Sequence, residues 1–265
     1  MKKTYPVEFV FQTVSLIVAI IMVHAIYVLL VRPRADYILA EQPALMEADE
    51  NYVQERSVFV IIRDFEQESC FILMLWAMAI MSYKAMEAAR EKRLLETDLV
   101  PVAEGTKILP EDAREYARQI QSLPHSEQRL LLPRALLSAL GRFGATRNIQ
   151  DVSTTAHAVA EAESERLDSE LSMVRYIAWA IPSIGFIGTV RGIGEALGQA
   201  HKAVEGDIAG VTQSLGVAFN STFIALQISI VLMFLLHQLQ LQQERLVADT
   251  ETYLDHHLIQ HLQVS

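Results

Sequence analysis

Ile177–Leu197 reads IAWAIPSIGFIGTVRGIGEAL, and Gly210–Phe234 reads GVTQSLGVAFNSTFIALQISIVLMF. Each is long enough to cross a bilayer, whose apolar core of ~30 Å takes ~20 residues of helix. Neither is built like a plain anchor. Pro182, Gly185, Gly188, Thr189, Ser221 and Thr222 stand where an anchor would carry leucine. Small and hydroxylic side chains let helix backbones approach and bond across the gap. The pattern predicts two membrane helices that face other helices or a guarded ion path. His201–Asp207 between them is a short polar turn, so the pair is predicted to be antiparallel.

Two more hydrophobic segments lie upstream. Phe9–Val31 is uninterrupted and is closed by Arg32, Pro33 and Arg34. Met1–Lys3 is too weakly charged, and Ala40 too far downstream, for a cleavable signal peptide, so this segment is read as a retained span. The next is interrupted. Ser57–Ile62 is apolar, then Arg63, Asp64, Glu66 and Glu68 intervene, and Cys70–Tyr83 is apolar again. That leaves fewer than the ~17 residues a span usually needs. A thinned crossing, a span with Phe65 and its polar neighbours in the interface, or a buried hairpin element would each fit; a span is favoured, although Trp76 then sits centrally.

Orientation follows from the charges. Lys2 and Lys3 precede the first segment, and Lys84, Arg90, Lys92 and Arg93 follow the second. The intervening stretch is acidic, with Asp36, Glu41, Glu47, Asp49, Glu50 and Glu55. The positive-inside rule puts both termini and the long region from Lys84 in the cytoplasm. That region is helical by pattern: Glu111–Gln121, Gln128–Leu140, then a long helix Asp151–Tyr176 that Ser153 could cap, with Leu236–Gln260 as an extension of the last span. The expected organisation is residues 1–83, two spans and an acidic outer loop; 84–172, a cytoplasmic helical region; 173–237, the signature span pair; and 238–265, a cytoplasmic helical tail.

The net charge of −10, without a basic block, argues against nucleic acid as a partner. Cys70, the single cysteine, can form neither an internal disulfide nor a multi-cysteine metal site. No phosphate loop, zinc-protease pattern or nucleophile triad is present, so no catalytic residue, metal or cofactor is expected. Gly185, Gly188 and Gly192 form a smooth strip for close helix approach. Thr189, Asn220, Ser221 and Thr222 would form a polar patch on an apolar wall, and Asn220 has no cheap backbone partner. Arg191 and Glu195 are four apart and share a face, as an ion pair or as a gate at a pathway mouth. No Asp or Glu lies inside the first, third or fourth apolar core. If protons are moved, the carrying carboxylate is expected from another chain. His24 in the first span could titrate, although a lone histidine more often serves packing.

The stretch from Pro182 to Ile193, PSIGFIGTVRGI, resembles the signature helix of the MotA/TolQ/ExbB proton-channel family, and Leu215–Thr222 resembles its second signature helix. The resemblance covers about the last third of the chain. It implies an all-α integral membrane protein, with four transmembrane helices and long cytoplasmic helical extensions, acting as a stator-like ring subunit. It further implies a homopentamer around two copies of a single-span partner with a transmembrane Asp, in the bacterial inner membrane. Protons, or sodium ions, would pass that carboxylate beside the hydroxyls of the ring and drive rotation. Thr189 matches the family's pore-facing threonine, and Pro182 the proline tied to coupling. Ala218 stands where a second threonine is common, with Ser221 and Thr222 about one turn away. A different class remains in view: a non-conducting structural membrane scaffold whose glycine strip only assembles oligomers.

Overall fold

The computed structural model describes residues 7–48, 57–102, 106–206 and 208–264. Lys2, Lys3, Asp49, Glu50 and Glu55, which contribute to the predicted orientation, lie outside the described residues, as does Asp207. In chain order the helices are α1 (Val7–Ile26), α2 (Arg32–Ala48), α3 (Val58–Ile61), α4 (Phe65–Leu95), α5 (Ala113–Gln121), α6 (Leu131–Thr146), α7 (Ile149–Glu170), α8 (Ser172–Gly198), α9 (Ala200–Val204) and α10 (Ala209–His257). Among the described residues, four helical stretches are long and apolar enough to cross a membrane: Glu8–Glu41, Phe65–Leu95, Ile149–Gly198 and Ala209–His261. Phe186, Ile187, Val190, Phe219, Phe223 and Ile230 are all exposed on α8 and α10, as suits side chains meeting lipid or other apolar helices rather than water.

The first hydrophobic run does not stop at Arg32 and Pro33. A π-helical turn, Tyr27–Val31, joins α1 to α2, and the backbone N–H of Arg32 donates to Tyr27 O. Proline inside a helix loses its own hydrogen bond and crowds the carbonyl four residues back. The wider turn just upstream of Pro33 gives that ring room, so the chain stays helical where the sequence suggested an ending. The second segment is also resolved. Within Ser57–Ile62, Val58–Ile61 forms the short α3, and the chain turns before entering α4 at Phe65. Glu66 and Glu68 therefore occupy the first turn of a continuous helix, where carboxylates complement the positive end of the dipole. Trp76 Nε1 donates to Gln12 O at 2.9 Å, which satisfies its indole at membrane depth.

The chain divides into two units. The first comprises Met1–Ser82 and Met173–Leu236. It contains the apolar parts of the four long helices, and Val23, Tyr27 and Val31 pack with Ile62, Phe71, Ile72 and Leu75.

The second unit comprises Tyr83–Ser172 and His237–Ser265. Its centre resembles the core of a soluble helical protein. Leu132, Leu136, Leu140 and Phe143 line one face of α6 at helical spacing and pack with Ile120, Val152, Leu254 and Leu258. Ile108 N donates to His261 O and Ile108 O accepts from Gln263 N, a short parallel bridge that ties the loop before α5 to the end of the chain. Arg147 ends α6 at φ 53°, and its N–H donates to Phe143 O at 2.9 Å. Asn148, not Ser153, caps α7: its side chain accepts from Gln150 N at 2.9 Å. The long helix predicted over Asp151–Tyr176 is interrupted at Leu171, between α7 and α8.

Buried charge also runs through this unit. Glu163 is 1% exposed and pairs with Arg134, at 3.0 Å, and with Arg166. Lys84, 3% exposed, pairs with Glu170 at 2.7 Å and Glu87 at 3.3 Å. Glu91 Oε2 accepts from Leu131 N, the first amide of α6, at 3.3 Å. Burial, and then the charge of Glu163, push the Glu91 carboxyl up to about 7.

Candidate ion-pathway wall between α8 and α10

Helices α8 and α10 meet in one antiparallel register, set by small residues and hydroxyls. A Cβ on Gly192 would stand 2.7 Å from Ser214 O and 2.8 Å from Ala218 N. On Gly188 it would stand 2.5 Å from Ser221 Cβ, and on Gly185 it would run into Ala225. Here the absence of a side chain is what allows the approach. Gly194, off this line, has nothing within 4 Å. The sequence-predicted strip of Gly185, Gly188 and Gly192 is thus the surface on which α10 lies.

Hydroxyls stitch the same seam. Pro182 has no N–H to give Ala178 O four residues back. Ser229 Oγ, from α10, donates to that carbonyl at 3.1 Å. Two turns along, Thr222 Oγ1 donates to Gly185 O at 3.1 Å. Thr189 Oγ1 donates to Ala218 O at 2.9 Å, and the hydroxyls of Thr189 and Thr222 meet at 2.5 Å. Two hydroxyl protons therefore serve three acceptor directions: Ala218 O, Gly185 O and each other. At least two proton arrangements satisfy the pair, and each oxygen keeps lone-pair capacity for another donor. Ala218, which replaces the expected second threonine, contributes its carbonyl instead.

Ser221 is buried and lies beside Gly188, where it accepts from Gln67 Nε2 at 3.3 Å. Asn220 is half-buried and takes no part in these bonds. Arg191 and Glu195 do pair, at 2.9 Å, but the stronger anchor for Arg191 is Glu66, which accepts from Nε at 2.8 Å and Nη2 at 3.0 Å. Asp64 stands 4.0 Å away. Arg191 thus sits among three carboxylates and is held by two planar contacts, so it fixes α4 against α8.

The first turn of α4 is what sequence reasoning missed. Glu66, Gln67 and Glu68 each reach a different helix. Glu66 holds Arg191 on α8, Gln67 holds Ser221 on α10, and Glu68 meets His24 of α1 and Arg32 of α2. In the sequence these residues looked like an interruption of a span. The discriminating signal was their offset of one residue each, since consecutive helical positions point about 100° apart.

Among the described residues, no group of three or more His, Cys, Asp or Glu is placed to hold a metal ion. No curated protein and no solved structure matches the chain. Residues 128–252, which contain α6, α7, the α8–α10 seam and most of α10, match the MotA/TolQ/ExbB proton channel family.

Proposed function

We propose that this chain is the ring subunit of an ion-motive-force-driven membrane motor. Five copies surround two copies of a single-span partner in the bacterial inner membrane, with both termini of the subunit cytoplasmic. A transmembrane Asp of the partner carries a proton, or a sodium ion, past Thr189, Ser221, Thr222 and Asn220. The ring turns relative to the partner as each subunit is passed, and Pro182 couples occupancy to helix shape. The driving force is the membrane potential, worth ~2.3 kcal/mol per charge per 100 mV, together with any concentration gradient.

The observation that carries this reading is the Thr189–Thr222 hydroxyl pair at the close approach of α8 and α10. Its protons have alternative placements, and its oxygens can accept from a protonated carboxyl or from water around a cation. Such a pair can meet changing charge without moving a helix. The apolar cores of α1, α8 and α10 lack a carboxylate that could carry the ion, which fits a carrier brought by the partner.

One observation favours a second reading, a non-conducting scaffold. Every hydroxyl of the seam that bonds a carbonyl also fastens α8 to α10. The two readings separate on composition. The chain is to be co-expressed with the single-span, Asp-bearing product of a neighbouring gene, and the purified assembly weighed by native mass spectrometry. A 5:2 complex supports the motor. A homo-oligomer that never retains the single-span chain leaves the scaffold.

A further inference from the structure

Glu68 is a carboxylate carried by this chain at the α1–α4 contact, on the other side of α4's first turn from the seam. It is 5% exposed. Glu68 Oε2 is paired with Arg32, and Glu68 Oε1 lies 2.7 Å from His24 Nδ1. Arg32 is itself held, its guanidinium 4.4 Å from the Phe65 ring and 5.7 Å from the Tyr27 ring. An ion pair of fixed charge needs no third member. Arg32 already neutralises Glu68, so the cluster carries no net charge while His24 is neutral and one positive charge when it is protonated.

A second, independent feature marks the place. Tyr27 is 2% exposed, and its hydroxyl has no hydrogen-bond partner among the described residues. That hydroxyl lies within electrostatic reach of Glu68, Arg32, Cys70 and Asp64. Buried hydroxyls without partners are uncommon, and an ordered water usually completes them. The π-helical turn that begins at Tyr27 sets both this hydroxyl and Arg32 toward α4. Gln67, the next residue on α4, has the same feature on the seam side: its Oε1 is buried and unpartnered while its amide donates to Ser221.

We propose that His24 and Glu68 form a proton-binding site belonging to this chain, in which the imidazole takes up one proton beside the Arg32-neutralised carboxylate. The step is a single transfer: a proton leaves hydronium, the vacant imidazole nitrogen gains it, and water is released. Imidazole is the side chain suited to such exchange near neutrality. The charged and titratable groups around the pair are Tyr27 from the π-helical turn, Arg32 from the start of α2, and Asp64, Glu68 and Cys70 from α4 and its approach. The side chain of His24 is 59% exposed while that of Glu68 is 7% exposed, so the imidazole is the member on the outer face of the cluster. The site's part in transport rests on the ion-channel reading; its existence does not.

The test uses the full chain in liposomes with ¹⁵N-labelled histidine, followed by NMR from about pH 5 to about pH 8. His24→Gln assigns the signal. The expected result is that His24 converts between neutral and doubly protonated forms, and that the conversion is altered in Glu68→Gln. Because Glu68→Gln leaves Arg32 without its partner, the charge-balanced Glu68→Gln, Arg32→Gln variant is measured beside it and should alter the conversion less than Glu68→Gln alone. A His24 signal fixed in one form across the range, or a conversion indifferent to both variants, overturns the proposal. Proton flux in the same liposomes with the partner present keeps the two questions apart. Conversion at His24 without flux in the native complex would remove the channel reading and leave the site standing.

Discussion

Adding one methyl group to the α8–α10 seam should separate two glycines that stand two residues apart. At Gly192 a Cβ would meet Ser214 O at 2.7 Å, and Ala218 N and Cβ at 2.8 Å, all short of the 3.4 Å at which ordinary contact begins. Two of those atoms are backbone, so no rotamer change relieves them and α10 itself must retreat. Overpacking of this kind costs about 1–3 kcal/mol. The retreat also stretches the bond from Thr189 to Ala218 O, 2.9 Å long, adding about 0.6 kcal/mol for a typical interhelical bond in a membrane. At Gly194 nothing lies within 4 Å, and alanine gains up to about 1 kcal/mol of helix propensity. Gly192→Ala gains the same propensity, so the overpacking and the stretched bond should leave it less stable than Gly194→Ala by about 1.6–3.6 kcal/mol. Thermal unfolding of the detergent-solubilised chain, followed by helical circular dichroism, reads the difference. Equal melting for the two variants, or a lower value for Gly194→Ala, would refute the register described here.

Three other outcomes follow from individual contacts. Ser229→Ala should cost about 0.6–1.7 kcal/mol by orphaning Ala178 O, and much less in a Pro182→Ala background that restores the missing N–H; a double-mutant cycle measures the coupling. Glu91 takes up a proton on folding, because its carboxyl is raised from the ordinary value of 4.5 to about 7. Its contribution is fully present below pH 4.5 and is lost as pH rises through about 7, a span of about 3 kcal/mol. Hydrogen exchange at the start of α6, corrected for intrinsic rate, should show that slope in the native chain and lose it in Glu91→Gln. Glu163→Gln should lower stability by about 1–3 kcal/mol, since its buried carboxylate serves two guanidinium groups that are themselves partly open to water; Arg134→Gln, which leaves Arg166 in place, should cost less in the same thermal melt.

The seam was legible because its signals are local. Glycines three and four residues apart, a proline within an apolar run and a short polar link each carry their meaning within a few positions. Thr189, Ser221 and Thr222 stood out for the same reason, and the structure gathers them on facing sides of α8 and α10. What escaped was the work of α4's first turn. Glu66 finds Arg191 across 125 residues, and Glu68 finds Arg32 across 36. Charge in a hydrophobic segment reads as a break until its partner is known. Ser229 was equally silent, because its role depends on a carbonyl freed by Pro182 on another helix. Continuation of the first helix through Pro33 needed the π-helical turn, and no residue pattern in Tyr27–Val31 announces it. The cap at Asn148 was readable in principle. The choice of Ser153 followed from placing the helix start two residues too late.

The most direct measurement of the central claim is ion flux into liposomes that hold this chain with its single-span partner, under an imposed pH or sodium gradient. The account predicts flux in the native complex, loss of flux in Thr189→Val with the complex still assembled, and retention in Thr189→Ser, which keeps the hydroxyl paired with Thr222. Flux that is untouched by Thr189→Val, or absent from an assembled native complex, would contradict it.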